Sequence, residues 1–226
     1  LRRNVLATRR RDDAVLRWCC EPSSPFGQAQ TELEAQVEAG GPCVLDLAYE
    51  PLRLEGACSL DAAQRDRVWQ LWTPNKAMGL TGVRAAYAIA PDDTAAGPLM
   101  QRLARLSPSW PVGAHGVALL QAWTGDAAQA WLADSLRTLA AWKAQQRAVC
   151  ASLGWECFAS AANFFCARTE RPYAPHAAAL RAEGIKLRDC ASFGLPGVVR
   201  LGVLPPASQQ ALKRAWTRAT IGGPDR

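Results

Sequence analysis

The chain has 226 residues, 49% hydrophobic and 20% charged, with enough apolar side chain to bury a substantial core. It has no run of about 18 apolar residues, which excludes a membrane-spanning helix. Its net charge of +6 is scattered over many arginines and clusters only at Arg2-Arg3 and Arg9-Arg10-Arg11. Without a basic stripe or a recognisable module, the expected partner is an anionic small molecule rather than nucleic acid.

The sequence opens on Leu-Arg-Arg-Asn-Val-Leu-Ala, without an initiator Met or an apolar leader. The expectation is a cytoplasmic protein and a chain that begins partway through a longer one. The cysteines at 19, 20, 43, 58, 150, 157, 166 and 190 sit mostly in apolar stretches and form no C-x-x-C. With only two histidines to complete a set of ligands, no metal site is expected, and the cysteines read as buried thiols.

Along the chain, Ala14–Cys20 reads as a short buried strand that runs into the turn-rich Glu21-Pro-Ser-Ser-Pro-Phe-Gly27. Residues 31–39 have helix-forming composition, with Thr31 as N-cap and Glu34 completing a capping box. Gly40-Gly41-Pro42 ends that helix, and strands follow at 43–48, 67–72 and 85–90. Strand, helix, strand at this spacing predicts an α/β sheet with parallel strands and ligands at the strand ends. After a loop at 91–97, helices are expected at 99–106, 117–123 and 127–151. Strands at 155–159 and 163–167, a helix at 177–183 and a strand at 198–203 then suggest a smaller α+β domain.

Three segments carry candidate chemistry: Glu21 to Gly27, Leu45-Asp46-Leu-Ala-Tyr49, and Thr73-Pro-Asn-Lys76-Ala-Met-Gly-Leu-Thr-Gly-Val-Arg84-Ala-Ala-Tyr87. A lysine that forms an imine must shed its proton, which an apolar or cationic setting favours. Lys76 lies between the apolar run 68–72 and the glycines Gly79 and Gly82, with Arg84 eight residues on. Thr73, Asn75 and Arg84 offer a hydroxyl, an amide and a guanidinium, which suit a phosphate. Asp46, at the end of an apolar strand, needs a cationic partner such as a protonated ring nitrogen.

These segments resemble the fold-type I pyridoxal-phosphate (PLP) aminotransferases, and in particular the histidinol-phosphate aminotransferase and threonine-phosphate decarboxylase group. That group carries D-E-A-Y at a strand end, then S-x-S-K-x-x-G-L-x-G-x-R-x-G-Y. Asp46, Ala48 and Tyr49 match the first motif, with Leu47 in place of Glu. Lys76, Gly79, Leu80, Gly82, Arg84 and Tyr87 match the second, with Thr73 and Asn75 at the two Ser positions. Pro22, Pro25 and Gly27 match N-P-x-N-P-T-G, with Ser24 where the family's second Asn bonds the cofactor ring oxygen. Gly184 to Val203 resembles the family's last motif, whose final Arg grips the substrate carboxylate and falls on Arg200.

The resemblance implies the C-terminal part of the PLP-transferase large domain, a mostly parallel sheet with helices, in residues 1–118. Residues 119–226 would then hold a linking helix and a small α+β C-terminal domain. It implies PLP as cofactor, with Lys76 and Asp46 catalytic and Tyr49, Thr73, Arg84 and Ser24 around the cofactor. Arg200, Arg188 and Asn163 are the implied substrate residues. The substrate would be an amino acid, with a phosphorylated one among those the group accepts, and the full-length protein a homodimer. Arg188-Asp189-Cys190-x-x-Phe193 resembles the decarboxylase branch, which serves the cobalamin side chain. A histidinol-phosphate-type aminotransferase and an inactive PLP-fold binding protein remain as alternatives. Family members carry a further segment before this point, so these 226 residues alone are expected not to turn over.

Overall fold

The structure, a computed structural model, describes residues 16–92 and 96–221. The first two residues of the strand predicted from 14, both arginine clusters and 93–95 of the predicted loop lie outside the described residues. The chain divides into two compact units within one helix, between Ser135 and Leu136, with residues 24–28 belonging to the second unit.

The first unit (16–23 and 29–135) is built on a four-stranded sheet of β1 (Arg17–Cys20), β2 (Cys43–Asp46), β3 (Trp69–Trp72) and β4 (Tyr87–Ile89), in that spatial order. β1, β2 and β3 are parallel, as the strand–helix–strand spacing predicts, and β4 runs antiparallel to β3. Strand alternation assigns the two faces. Cys19, Cys43 and Leu45 pack with Leu33 and Val37 of α1 (Leu33–Glu38), and with Leu47, Leu60 and Val68. On the other face Val44 and Trp69 pack with Leu71, Ala90 and Leu99, the last from α3 (Ala96–Leu106).

The start of α1 differs from its sequence signature. Glu32, not Thr31, is the N-cap, in a left-handed conformation at φ 62°, and no side chain caps the helix. The capping box is instead at α2 (Ala62–Arg65), where Asp61 Oδ1 accepts from Gln64 N at 2.8 Å and Gln64 Oε1 accepts from Asp61 N at 3.0 Å. α4 (Ala114–Trp123) and the first part of α5 (Asp126–Ser152) complete the unit.

The second unit (24–28 and 136–221) is an antiparallel sheet in the order β5 (Glu156–Cys157), β6 (Phe164–Arg168), β8 (Val198–Gly202), β7 (Arg188–Asp189). One face of the sheet, through Phe165, Ala167, Val199 and Leu201, packs on Cys150 of α5, Tyr173 and Leu180 of α6 (Tyr173–Ala182), and Leu212, Ala215 and Trp216 of α7 (Pro206–Ile221). Trp155 and Trp216 meet edge to face with centroids 4.9 Å apart. Truncating either buried indole would cost about 3–5 kcal/mol. The opposite face carries Cys166 and Val198 together with Cys190, Leu195 and Phe26.

All eight cysteines are free thiols, five of them buried. No helix among the described residues is long and apolar enough to cross a membrane.

Candidate functional site

In the first unit, β-sheet register brings the candidate cofactor residues to one edge. Cys20 pairs with Asp46 and Asp46 with Leu71, so the C-terminal ends of β1, β2 and β3 are level. The chain leaves the sheet there three times, as Glu21–Ser23, Leu47–Tyr49 and Thr73–Lys76. Open α/β sheets bind ligands at this end, outside the carboxyl termini of parallel strands.

Asp46 is half-buried, and its Oδ1 accepts from Ala48 N at 3.0 Å. Its second carboxylate oxygen engages no partner among the described residues. Tyr49 caps the short 3-10 turn Glu50–Leu52, and the half-buried Lys76 lies with Nζ 3.9 Å from the centre of the Tyr49 ring. An ammonium over an aromatic face is an attractive contact of about 0.5–2 kcal/mol. The Thr73 hydroxyl lies 2.7 Å from Ala85 O and 2.8 Å from Asn75 Oδ1, and it donates to one of them at a time. Arg84 is exposed, and no acceptor among the described residues engages its guanidinium. Asp46, Tyr49, Thr73 and Lys76 are therefore gathered at one sheet edge, with Arg84 at the solvent side of the loop into β4.

Sequence reasoning missed a charged network at this edge. Glu21 is fully buried. Its Oε1 accepts from Arg53 Nη2 and from Ser59 N, each at 2.9 Å, and its Oε2 accepts from Ser59 Oγ at 2.7 Å. Arg53 Nε also donates to both oxygens of Glu50, at 3.1 and 2.9 Å. Burial would lower the Arg53 guanidinium, but the bonds to Glu50 and then Glu21 outweigh it, raise Arg53 above its ordinary range and keep it charged. Breaking such a buried pair from one side costs about 3–5 kcal/mol, because the other charge is left uncompensated. The available signal was Glu21 itself, a carboxylate following an apolar strand.

The candidate substrate residues lie in the second unit. Arg200 is directly opposite Arg188 across the β7–β8 pair and opposite Cys166 across the β6–β8 pair, so all three share one face. Its guanidinium lies 5.2 Å from the centre of the Phe164 ring, and Nη1 donates to Ser24 Oγ at 2.9 Å. The Ser24 hydroxyl thus accepts from the arginine. Arg188 is exposed, donates to Ser192 Oγ at 3.1 Å and lies 5.3 Å from the centre of the Phe193 ring. Asn163 is half-buried and immediately precedes β6.

The segment that carries Ser24 is tied down along its length. Ala161 N donates to Gly27 O at 2.6 Å, Gln28 Nε2 to Ala159 O at 3.0 Å, and Cys166 Sγ to Pro25 O at 3.2 Å. Gly27 has φ +70°, and a Cβ there would lie 2.2 Å from Ser160 Oγ, so no other residue fits. A hydrogen bond between the two free thiols raises the Cys166 thiol and lowers the Cys190 thiol, with burial raising both and Arg200 lowering both.

The sequence model of the family described as aminotransferase class I and II matches residues 14–218. "Histidinol-phosphate aminotransferase 1" of Bradyrhizobium diazoefficiens is 32% identical over 196 residues, covering 83% of this chain and 53% of that protein. The chain therefore spans about half the length of that curated relative. Among solved structures, the histidinol-phosphate aminotransferase of Clostridium acetobutylicum superposes with a TM-score of 0.78 at 16% identity, over 94% of this chain and 66% of that one. L-threonine-O-3-phosphate decarboxylase of Porphyromonas gingivalis gives 0.69 at 22% identity, over 93% and 66%. At these identities the two structures show a shared fold.

Proposed function

The chain belongs to the class I and II aminotransferase family, and from that premise we propose that the protein containing it is a PLP-dependent enzyme acting on an amino acid with a second anionic group. The observation that carries the cofactor reading is the gathering of Lys76, Tyr49 and Asp46 at the C-terminal edge of three parallel strands. These groups fit PLP by their chemistry. Lys76 supplies an amine and Asp46 a carboxylate with one oxygen uncommitted among the described residues. Tyr49 supplies a phenol, and Thr73 and Arg84 a hydroxyl and a guanidinium for the phosphate.

When bound, PLP supplies an aldehyde for an amine and a ring that withdraws electrons from a bond at the substrate Cα. Asp46 would hold the proton on the ring nitrogen, and Tyr49 would donate to the ring oxygen. The Lys76 amine would hold the cofactor through its aldehyde and would carry protons to and from the substrate Cα.

Arg200 would hold the substrate carboxylate, and Ser24 and Phe164 limit the positions its guanidinium can take. Arg188, opposite it on the same sheet face, would take the second anionic group. A carboxylate and a phosphate on one substrate satisfy both arginines, which supports decarboxylation of a phosphorylated hydroxy amino acid such as threonine phosphate. Amino transfer of the histidinol-phosphate type is the second reading, favoured by the 32% identity to the curated relative.

The two readings predict different products from the full-length protein with PLP. Release of carbon dioxide and an amine from threonine phosphate, without any keto acid, supports decarboxylation. Formation of glutamate from 2-oxoglutarate and histidinol phosphate, with no gas released, overturns it in favour of amino transfer.

A further inference from the structure

We infer that Glu21 is a positioning residue, which holds the Tyr49 ring against Lys76 by clamping Arg53. The inference rests on the reading of Lys76 and Tyr49 as cofactor groups, but its geometry stands independently of that reading. Glu21 is tied to the sheet edge through its backbone, since Glu21 N donates to Asp46 O at 3.1 Å. Its side chain crosses to Arg53 and Ser59, which lie beyond the end of β2.

Arg53 closes the turn that begins at Tyr49. Leu52 N donates to Tyr49 O at 2.9 Å, and Arg53 N to Glu50 O at 3.0 Å. The turn is already held internally by the Glu50–Arg53 fork, at 2.8 Å between Arg53 Nη2 and Glu50 Oε2. Glu21 adds what the fork cannot, a fixed link from the end of β1 to the turn. It therefore determines where the turn sits, and with it where the Tyr49 ring meets Lys76 at 3.9 Å. The arrangement is nearly dry: the Glu21 side chain is 0% exposed and that of Arg53 9%. At such a site a charge-assisted bond is stronger and more directional than a neutral one.

Glu21→Gln tests this, since it keeps the shape and a bond to Ser59 but removes the charge that faces Arg53. In the cofactor-free full-length protein, acetic anhydride labelling read by mass spectrometry reports how well the Tyr49 ring shields the Lys76 amine. The chain's other lysines, Lys143, Lys186 and Lys213, are internal references. Relative to Lys186 and Lys213, Lys76 labelling is expected to rise roughly fivefold in Glu21→Gln, the difference between a charge-assisted and a neutral bond. Glu21→Asp, which keeps the charge, should fall between the two. Labelling of the buried Lys143 should not change, although loss of the buried charge pair is expected to lower the thermal midpoint.

Unchanged Lys76 labelling in Glu21→Gln would overturn the inference. So would a parallel rise at Lys143, which would make Glu21 a general structural support. A second arm titrates wild type with PLP and follows the visible absorbance. Failure of wild type to bind PLP would refute the proposed cofactor, while the labelling arm still decides the role of Glu21.

Discussion

Lys76→Ala is expected to leave the full-length protein without its visible cofactor absorbance and to slow turnover roughly 10²–10⁴-fold or more, the range for losing a positioned acid–base group. The expected effect is large because, in the proposed function, one amine would serve twice, first in holding the cofactor and then in moving a proton at the substrate Cα. Ala at this position leaves the neighbouring bonds of the loop intact, since they run through backbone atoms: Met78 N to Pro74 O, Gly79 N to Lys76 O and Leu80 N to Asn75 O. Circular dichroism should therefore be unchanged while absorbance and activity are lost. A folded Lys76→Ala protein that kept the wild-type absorbance would show that another group holds the cofactor.

Arg200→Ala is expected to weaken binding of carboxylate-bearing substrates by about 2–5 kcal/mol, the cost of removing one partner of a desolvated charge pair. Amines that lack a carboxylate should bind nearly as before. Val199 and Leu201, its neighbours in β8, are buried on the opposite face of the sheet, so truncating Arg200 leaves the main core of the second unit untouched. The comparison to make is inhibition by an amino acid against inhibition by the corresponding amine. Equal losses for both would mean that Arg200 serves only to hold Ser24.

The sequence and the structure agree best where side-chain chemistry is local. The apolar strands at 43–48 and 198–203 are found at Cys43–Asp46 and Val198–Gly202, and the helix expected at 127–151 is found at Asp126–Ser152. Strand direction was not legible at β4, because a three-residue strand has the same pattern whichever way it runs. The capping-box pattern at Thr31 was real as sequence, but the chain turned through Glu32 and placed its box at Asp61–Gln64.

α7 went unread although its buried residues Gln209, Leu212, Ala215 and Trp216 repeat at helical spacing. In the candidate site, Lys76, Asp46 and Tyr49 could be read from the sequence because their spacing matches a known motif, and the fold gathers them at one end of the sheet. The Glu21–Arg53 pair and the Ser24–Arg200 bond were not, since their partners are 32 and 176 residues apart and only the fold brings them together.

The most direct test is to incubate the full-length wild-type protein with PLP, reduce it with borohydride and map the modified peptide by mass spectrometry. The proposed site predicts one stable cofactor adduct, on the peptide that contains Lys76, and none in Lys76→Ala. An adduct spread over Lys186 and Lys213, or an unmodified Lys76 in protein that has retained cofactor, would contradict it.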